Sequence, residues 1–156
     1  MSFHVKYNIL LSDDYQLSEN ENILFKIPLI KDIIEKNKLD DMVIDKYLIN
    51  LKNFNSATFS HIITLVKFNL TNVAGECQIF NVNFIKNMNS NTLMDFILLS
   101  YKLGLDNFKQ IATDHFMNIF TQNDSDGIRQ LLKLRNDFTE QEINNIKIDH
   151  EWQEEK

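Results

Sequence analysis

Only three glycines and one proline punctuate the 156 residues of this chain. Glycine supplies the positive-φ turns that a sandwich of many short strands needs, and proline ends helices. Their scarcity disfavours a loop-rich β-sandwich and favours helices. The apolar spacing agrees. From Asp106 to Phe120, residues Phe108, Ile111, Ala112, His115, Phe116 and Ile119 recur at i, i+3, i+4, i+7, i+8 and i+11, which predicts an amphipathic helix. Phe59, Ile62, Ile63 and Val66 repeat the same spacing, and Asn55 precedes them as an N-cap with Phe54 and Phe59 at staple positions.

The first residues read differently. In His4–Leu11, Val5, Tyr7 and Ile9 alternate with Lys6 and Asn8, a period of two that predicts a strand. Ser12-Asp13-Asp14 predicts a turn, and Tyr15–Leu17 a returning strand, with polar residues from Ser18 to Asn22. A helix is expected over Asn22–Asn37, with Pro28 tolerable only in a first turn or at a break and with Ile30, Ile33 and Ile34 on one face. Met42–Leu51 reads as strand and loop, and Thr71–Gln78 as a polar connection containing Gly75. In the stretch from Asn91 to Leu105, Leu93, Met94, Phe96, Ile97, Leu98, Leu99 and Leu103 surround the axis, which predicts burial on most sides. Short strands followed by many helices define an α+β class. The expected organisation is a domain over residues 1–122 and a helical extension over 123–156.

Composition narrows the function. The formal net charge is −6 and the sequence pI about 5.1, so the surface repels phosphate backbones and nucleic acid is not an expected partner. No apolar run is long enough to span a bilayer, and the first residues lack the basic region and cleavage site of a signal peptide, so no membrane partner is expected either. One cysteine, Cys77, permits no internal disulfide, which fits a reducing compartment, cytoplasm or nucleus. No phosphate-cradling glycine motif occurs, and His4, His61, His115 and His150 lack metal-ligand spacing. His115 reads as a buried or half-buried core residue. Cys77 in a polar connection has no basic neighbour to lower its pKa. Glu151, Glu154 and Glu155 read as a solvated tail. No cofactor, metal or catalysis is expected.

The last stretch, "IRQLLKLRNDFTEQEINNIKIDHEWQEEK", runs from Ile128 to Lys156. Asp124 and Ser125 are N-cap candidates for a short helix over Ile128–Leu134. Thr139 and Glu142 stand in capping-box spacing, and Phe138 and Ile143 in staple spacing, so a last helix is expected from Thr139 to about Trp152. The apolar residues Ile128, Leu131, Leu132, Leu134, Phe138, Ile143, Ile146 and Trp152 either complete the domain's own core or face a partner.

This run resembles the C-terminal signature of the S-phase kinase-associated adaptor family, the BTB/POZ-type subunits that hold F-box proteins in SCF ubiquitin ligases. The family pattern is close to I-R-x-x-F-x-I-K-N-D-F-T-x-E-E, ending near a Trp. Ile128, Arg129, Leu134, Asn136, Asp137, Phe138, Thr139, Glu142 and Trp152 match it in place. Weaker likenesses precede it. Ser12–Lys36 fits the family's first strand-turn-helix region without a gap, "INLKNF" is similar to its short Leu-Pro-Asn-Val strand, and "NFIK" to its Glu-Phe-Leu-Lys segment. The resemblance implies a BTB/POZ-type fold and an adaptor that bridges F-box proteins to a cullin. Carried onto this sequence, it implies an F-box grip formed by Ile128, Leu131, Leu132, Leu134, Asn136, Asp137, Phe138, Ile143, Ile146 and Trp152.

The departures are specific. Leu131 stands for the family's Thr and Leu132 for its Phe, which keeps the grip apolar and changes its shape. Lys52 and Ser125 stand for prolines, Gly127 for an acid, and the connection after Thr71 is shorter than the family's acidic loop. The cullin contact centres in the family on an Asn-Tyr pair, and here the same positions hold Tyr101 and Lys102. Two readings stand open: a full adaptor, or a divergent BTB/POZ-type protein that binds F-box proteins without a cullin or pairs with itself as a homodimer.

Overall fold

A computed structural model describes residues 5–42, 47–132, 140–142 and 144–145. The chain divides into two compact units, Met1–Thr121 and Gln122–Lys156. The first is α+β. Its elements are β1 (Lys6–Leu11), β2 (Gln16–Asn20), α1 (Glu21–Leu24), α2 (Pro28–Leu39), β3 (Leu48–Leu51), α3 (Ser56–Thr71), α4 (Ala74–Lys86), α5 (Ser90–Leu103) and α6 (Asp106–Gln122).

The sheet has the order β2-β1-β3. β1 pairs antiparallel with β2, Ile9 opposite Leu17, and parallel with β3, Ile9 opposite Ile49. Tyr7, Ile9 and Leu11 are buried while Lys6 and Asn8 face solvent, the alternation expected of a sheet with one covered face. Asp14 closes the first turn at a φ of 56°, a left-handed conformation that Asp tolerates. The strand that returns is longer than its sequence suggests. Ser18–Asn20 continue β2 despite their polarity because Asn8, Tyr7 and Lys6 offer them a ladder, and Glu19 is buried against Lys67 of α3.

Pro28 occupies the first position of α2, where a missing N–H costs nothing. The predicted helix therefore divides into α1 and α2, and Ile30 and Ile34 of α2 enter the core. Asn55 caps α3: its Oδ1 accepts from Ala57 N at 2.8 Å and from Thr58 N at 3.4 Å. Phe54 and Phe59 flank the cap from within the core. Phe59, Ile62, Ile63 and Val66 are all buried, as their spacing predicts.

Two readings of the sequence are corrected here. Residues 71–78 are not simply a polar connection, because α4 begins at Ala74 and carries Gly75 and Cys77 within it. The local polarity hides a helix that buries Cys77, Asn81 and Ile85. The Cys77 thiol points at the carbonyls of Asn72, at 3.4 Å, and Asn69. Helix α5 is not buried on most sides. Leu93, Phe96, Leu99, Ser100 and Leu103 form its buried face, whereas Met94, Leu98 and Tyr101 are exposed. α5 packs against α2 and α3.

A buried side chain joins the sheet to α1 and α2. Tyr7 is 1% exposed and its hydroxyl lies 3.4 Å from Glu21 Oε1, which also accepts from Lys38 Nζ. Burial raises the Tyr7 pKa, and the hydrogen bond to Glu21 raises that of Lys38. Both folded values exceed the unfolded references of 10.0 and 10.5, so both groups contribute stability at neutral pH that is lost as the pH climbs through and above these values. Urea unfolding of the protein is expected to show falling stability above pH 10, with a shallower decline in Tyr7→Phe. Replacing Asn55 by Ala removes a cap worth about 0.5–2 kcal/mol, and the same titration at neutral pH measures the loss.

Candidate functional site

The exposed side of α5 carries three large apolar side chains, Met94, Leu98 and Tyr101. Asn89 starts the helix by accepting from Thr92 N at 2.9 Å. Gly104 ends it with a φ of 77°, its N–H reaching the Tyr101 carbonyl, while Leu105 N–H reaches the Ser100 carbonyl at 2.9 Å. This paired closure satisfies the last carbonyls and needs a residue free to enter the left-handed region. A Cβ at Gly104 would also stand 3.2 Å from Pro28 Cβ, so glycine lets α5 end against the start of α2.

Between those caps the helix has two faces. The buried one makes the core. The outer one carries Met94, Leu98 and Tyr101 at i, i+4 and i+7, with relative exposures of 38%, 59% and 69%. Residues at that spacing align in one stripe. Tyr101 lies under the Lys109 ammonium of α6, 5.6 Å from its ring centroid, and Lys102 lies over the Phe54 ring at 5.7 Å. Each cation covers an aromatic face at a distance where the attraction is worth about 0.5–1 kcal/mol at an exposed site. The two residues expected to carry the cullin contact are therefore both at the surface and held by different partners. A shallow cavity of about 180 Å³ opens beside the stripe, between the β3–α3 connection and α5, and takes Phe54, Asp95, Leu98 and Lys102 among its walls.

In the second unit, α7 spans Ser125–Leu131. Asp124, an expected N-cap, accepts from Gly127 N at 2.8 Å. Arg129 donates to Asp126 at 3.0 Å, one turn back. A Cβ at Gly127 would meet Asn123 Oδ1 at 2.8 Å, so the helix start is tightly closed. The helix begins three residues earlier than the apolar run suggests, because the cap and not the first apolar residue sets the start. Ile128 and Leu132 are half-buried, and Leu131 is helical. Leu134, Asn136, Asp137, Phe138, Ile143, Ile146 and Trp152, with the expected cap Thr139, lie outside the described residues. Residues 140–142 and 144–145 are helical, and Glu140, Gln141, Glu142, Asn144 and Asn145 face solvent.

Of the residues weighed for chemistry, His4, His150, Glu151, Glu154 and Glu155 lie outside the described residues, and the described ones do not converge. His61 packs edge-on to Phe84 with centroids 5.5 Å apart, and His115 is half-buried on α6. Cys77 is buried in α4 rather than set in a polar loop. A cavity of about 550 Å³ between α2, α3 and α6 has Lys26 and Asp106 as its charged walls, and no nucleophile with a base beside it. Among the described residues, no three His, Cys, Asp or Glu side chains group closely enough to hold a metal, and no helix is long and apolar enough to cross a membrane.

The α5 stripe was hidden in the sequence because its apolar residues continue all round the helix. The 94, 98, 101 spacing could have marked it, but nothing local says which of two apolar faces turns inward. No family model matches the chain, and no curated protein matches it. If the stripe is a surface and not a part of the core, Leu98→Asp will change stability by no more than about 0.5 kcal/mol, the range of ordinary surface substitutions, in thermal or urea unfolding.

Proposed function

We propose that this chain is a BTB/POZ-type adaptor of the S-phase kinase-associated family, a subunit that bridges F-box proteins to a cullin in an SCF ubiquitin ligase. The reading rests on the gapless run from Ile128 to Trp152, nine of whose positions match the family in place. The α+β first unit and its exposed α5 stripe are compatible with it, since a bridge needs two separate surfaces. The F-box would be gripped by Ile128, Leu134, Phe138 and Trp152, with Leu131 and Leu132 reshaping the apolar contact. The cullin would meet α5 around Tyr101 and Lys102. The chain would supply geometry and no catalytic group, and would act in cytoplasm and nucleus.

A second reading is favoured by one observation. Tyr101 and Lys102 replace the family's Asn-Tyr pair, and both are engaged, by Lys109 and by the Phe54 ring. A chain altered there would bind F-box proteins without a cullin.

Mixing the chain with an F-box domain and a cullin N-terminal domain, then sizing the mixture, separates the readings. A ternary complex supports the adaptor. An F-box complex that excludes the cullin supports the second reading, and binding of neither rejects both. Phe138→Ala or Trp152→Ala is expected to weaken F-box binding by about 2–4 kcal/mol, measured by calorimetry, as truncation of a central anchor does.

A further inference from the structure

Helix α4 buries a stripe at i, i+4 and i+8, formed by Cys77, Asn81 and Ile85. An apolar residue would suit the middle position. Asn81 stands there instead, 1% exposed, and its Oδ1 has no hydrogen-bond partner among the described residues. Asn69 repeats the pattern on α3. It follows Ile62 and Val66 at core spacing, and its buried Oδ1 is likewise unpaired among the described residues. An unsatisfied polar atom out of water is costly, and a leucine at either position would avoid that cost.

Both residues wall the same cavity. Its volume is about 380 Å³, within the range of small-ligand sites, and it lies where α3, α4 and α6 meet. Asn72, Gln78 and Asn107 add three more carboxamides, and Cys77 adds its thiol. Asn72 is partly engaged, because its Nδ2 donates to the Phe68 carbonyl at 2.9 Å. Among the described residues, no charged or aromatic side chain lines the cavity. Asn69 and Asn107 also wall the cavity of about 550 Å³ beside α2, where Val66, Leu70 and Leu105 supply apolar surface.

This lining selects by chemistry. A charged group would give up its water with no counter-charge to meet it. A planar base would find no ring to stack on. A carboxamide presents an acceptor oxygen and a two-donor nitrogen in one plane, so it pairs with another carboxamide in both senses at once. We infer that this cavity is a binding site for an uncharged ligand bearing a primary carboxamide on an aliphatic stem. Its amide supplies the hydrogen bonds that Asn81 and Asn69 lack, and its stem lies toward Val66 and Leu70. Both asparagine oxygens are closed to water as the side chains stand, and rotation about the soft terminal torsion of asparagine turns either amide toward the cavity. The site goes beyond the adaptor reading and does not depend on it. A free small amide and the Asn or Gln side chain of a peptide share this chemistry.

Cys77 is the chain's one cysteine, so its reaction with a thiol reagent reports on this cavity alone. The first probe is N-acetyl-glutaminamide. A ligand of about a dozen heavy atoms in a well-formed site has a dissociation constant of roughly 1 mM or tighter. At about ten times that constant the Cys77 reaction is expected to slow about 10-fold. The charged glutamate analogue and the apolar methionine analogue are expected to give no protection at the same concentration. Asn81→Leu is expected to abolish protection while unfolding in urea no earlier than the parent, because it removes an unpaired polar atom at little change in volume. Asn107→Ala, at an exposed position, keeps the fold and weakens the probe. If Asn81→Leu is less stable than the parent, Asn107→Ala decides alone. The pentapeptide acetyl-Ala-Leu-Gln-Leu-Ala-amide separates the two sources. Protection at lower concentration than the small probe marks a peptide partner, equal or weaker protection marks a small amide, and either upholds the site. Absence of protection by both probes, equal protection by the methionine analogue, or protection that survives the substitutions overturns the proposal.

Discussion

The packing of α5 against α3 and α2 is the contact on which the rest of the first unit depends. Phe96, Leu93, Leu99 and Leu103 put one side of α5 out of water, together with Phe59, Ile62, Leu65 and Val66 of α3 and Ile30 and Ile34 of α2. Burial of this much apolar surface is the main favourable term in folding, at about 25 cal/mol for each Å². It also decides orientation. Once that face is turned inward, Met94, Leu98 and Tyr101 have nowhere to go but outward. The outer stripe is thus a by-product of core packing.

The sheet supports this arrangement through polar ties as well as apolar ones. Glu19 at the edge strand is buried and paired with Lys67 on α3, and Glu21 gathers Tyr7 and Lys38. A buried carboxylate left alone would be costly, so these pairings fix how β2, α1 and α2 sit against the sheet. At the other end, Ser56 donates to Asp13 and Lys52 lies 3.6 Å from Asp14, joining the first turn to the start of α3. Not every buried polar atom is so placed. Ser100 Oγ is buried in α5 and has no partner among the described residues. A small side chain costs little space on that face, and its orphan hydroxyl is a modest penalty within a large apolar contact.

Surface and chemistry point the same way. Among the described residues, lysine ammonium groups lie over the rings of Phe25, Phe54 and Tyr101, and no three His, Cys, Asp or Glu side chains group closely enough to hold a metal. Cation over ring is a recognition chemistry, directional and tolerant of water.

Much was legible in the residues alone, wherever the deciding physics is local. The β1 alternation, the Asn55 cap, the four-residue core stripe of α3 and the proline at the start of α2 each follow from spacing or from a single side chain bonding its own backbone. The class, α+β, follows from them. The Asp124 cap was also visible. The family-like run from Ile128 to Trp152 is a property of the sequence, and most of it stays there. What only the tertiary structure decided is where long-range contacts compete with local signals. Polar Ser18–Asn20 become strand because β1 offers unpaired ladder groups. Residues from Ala74 become helix because Cys77, Asn81 and Ile85 find a core to enter. The apolar helix α5 shows the limit most plainly. Its composition allows either face to be buried, and only the helices beside it determine that Phe96 goes in and Leu98 stays out.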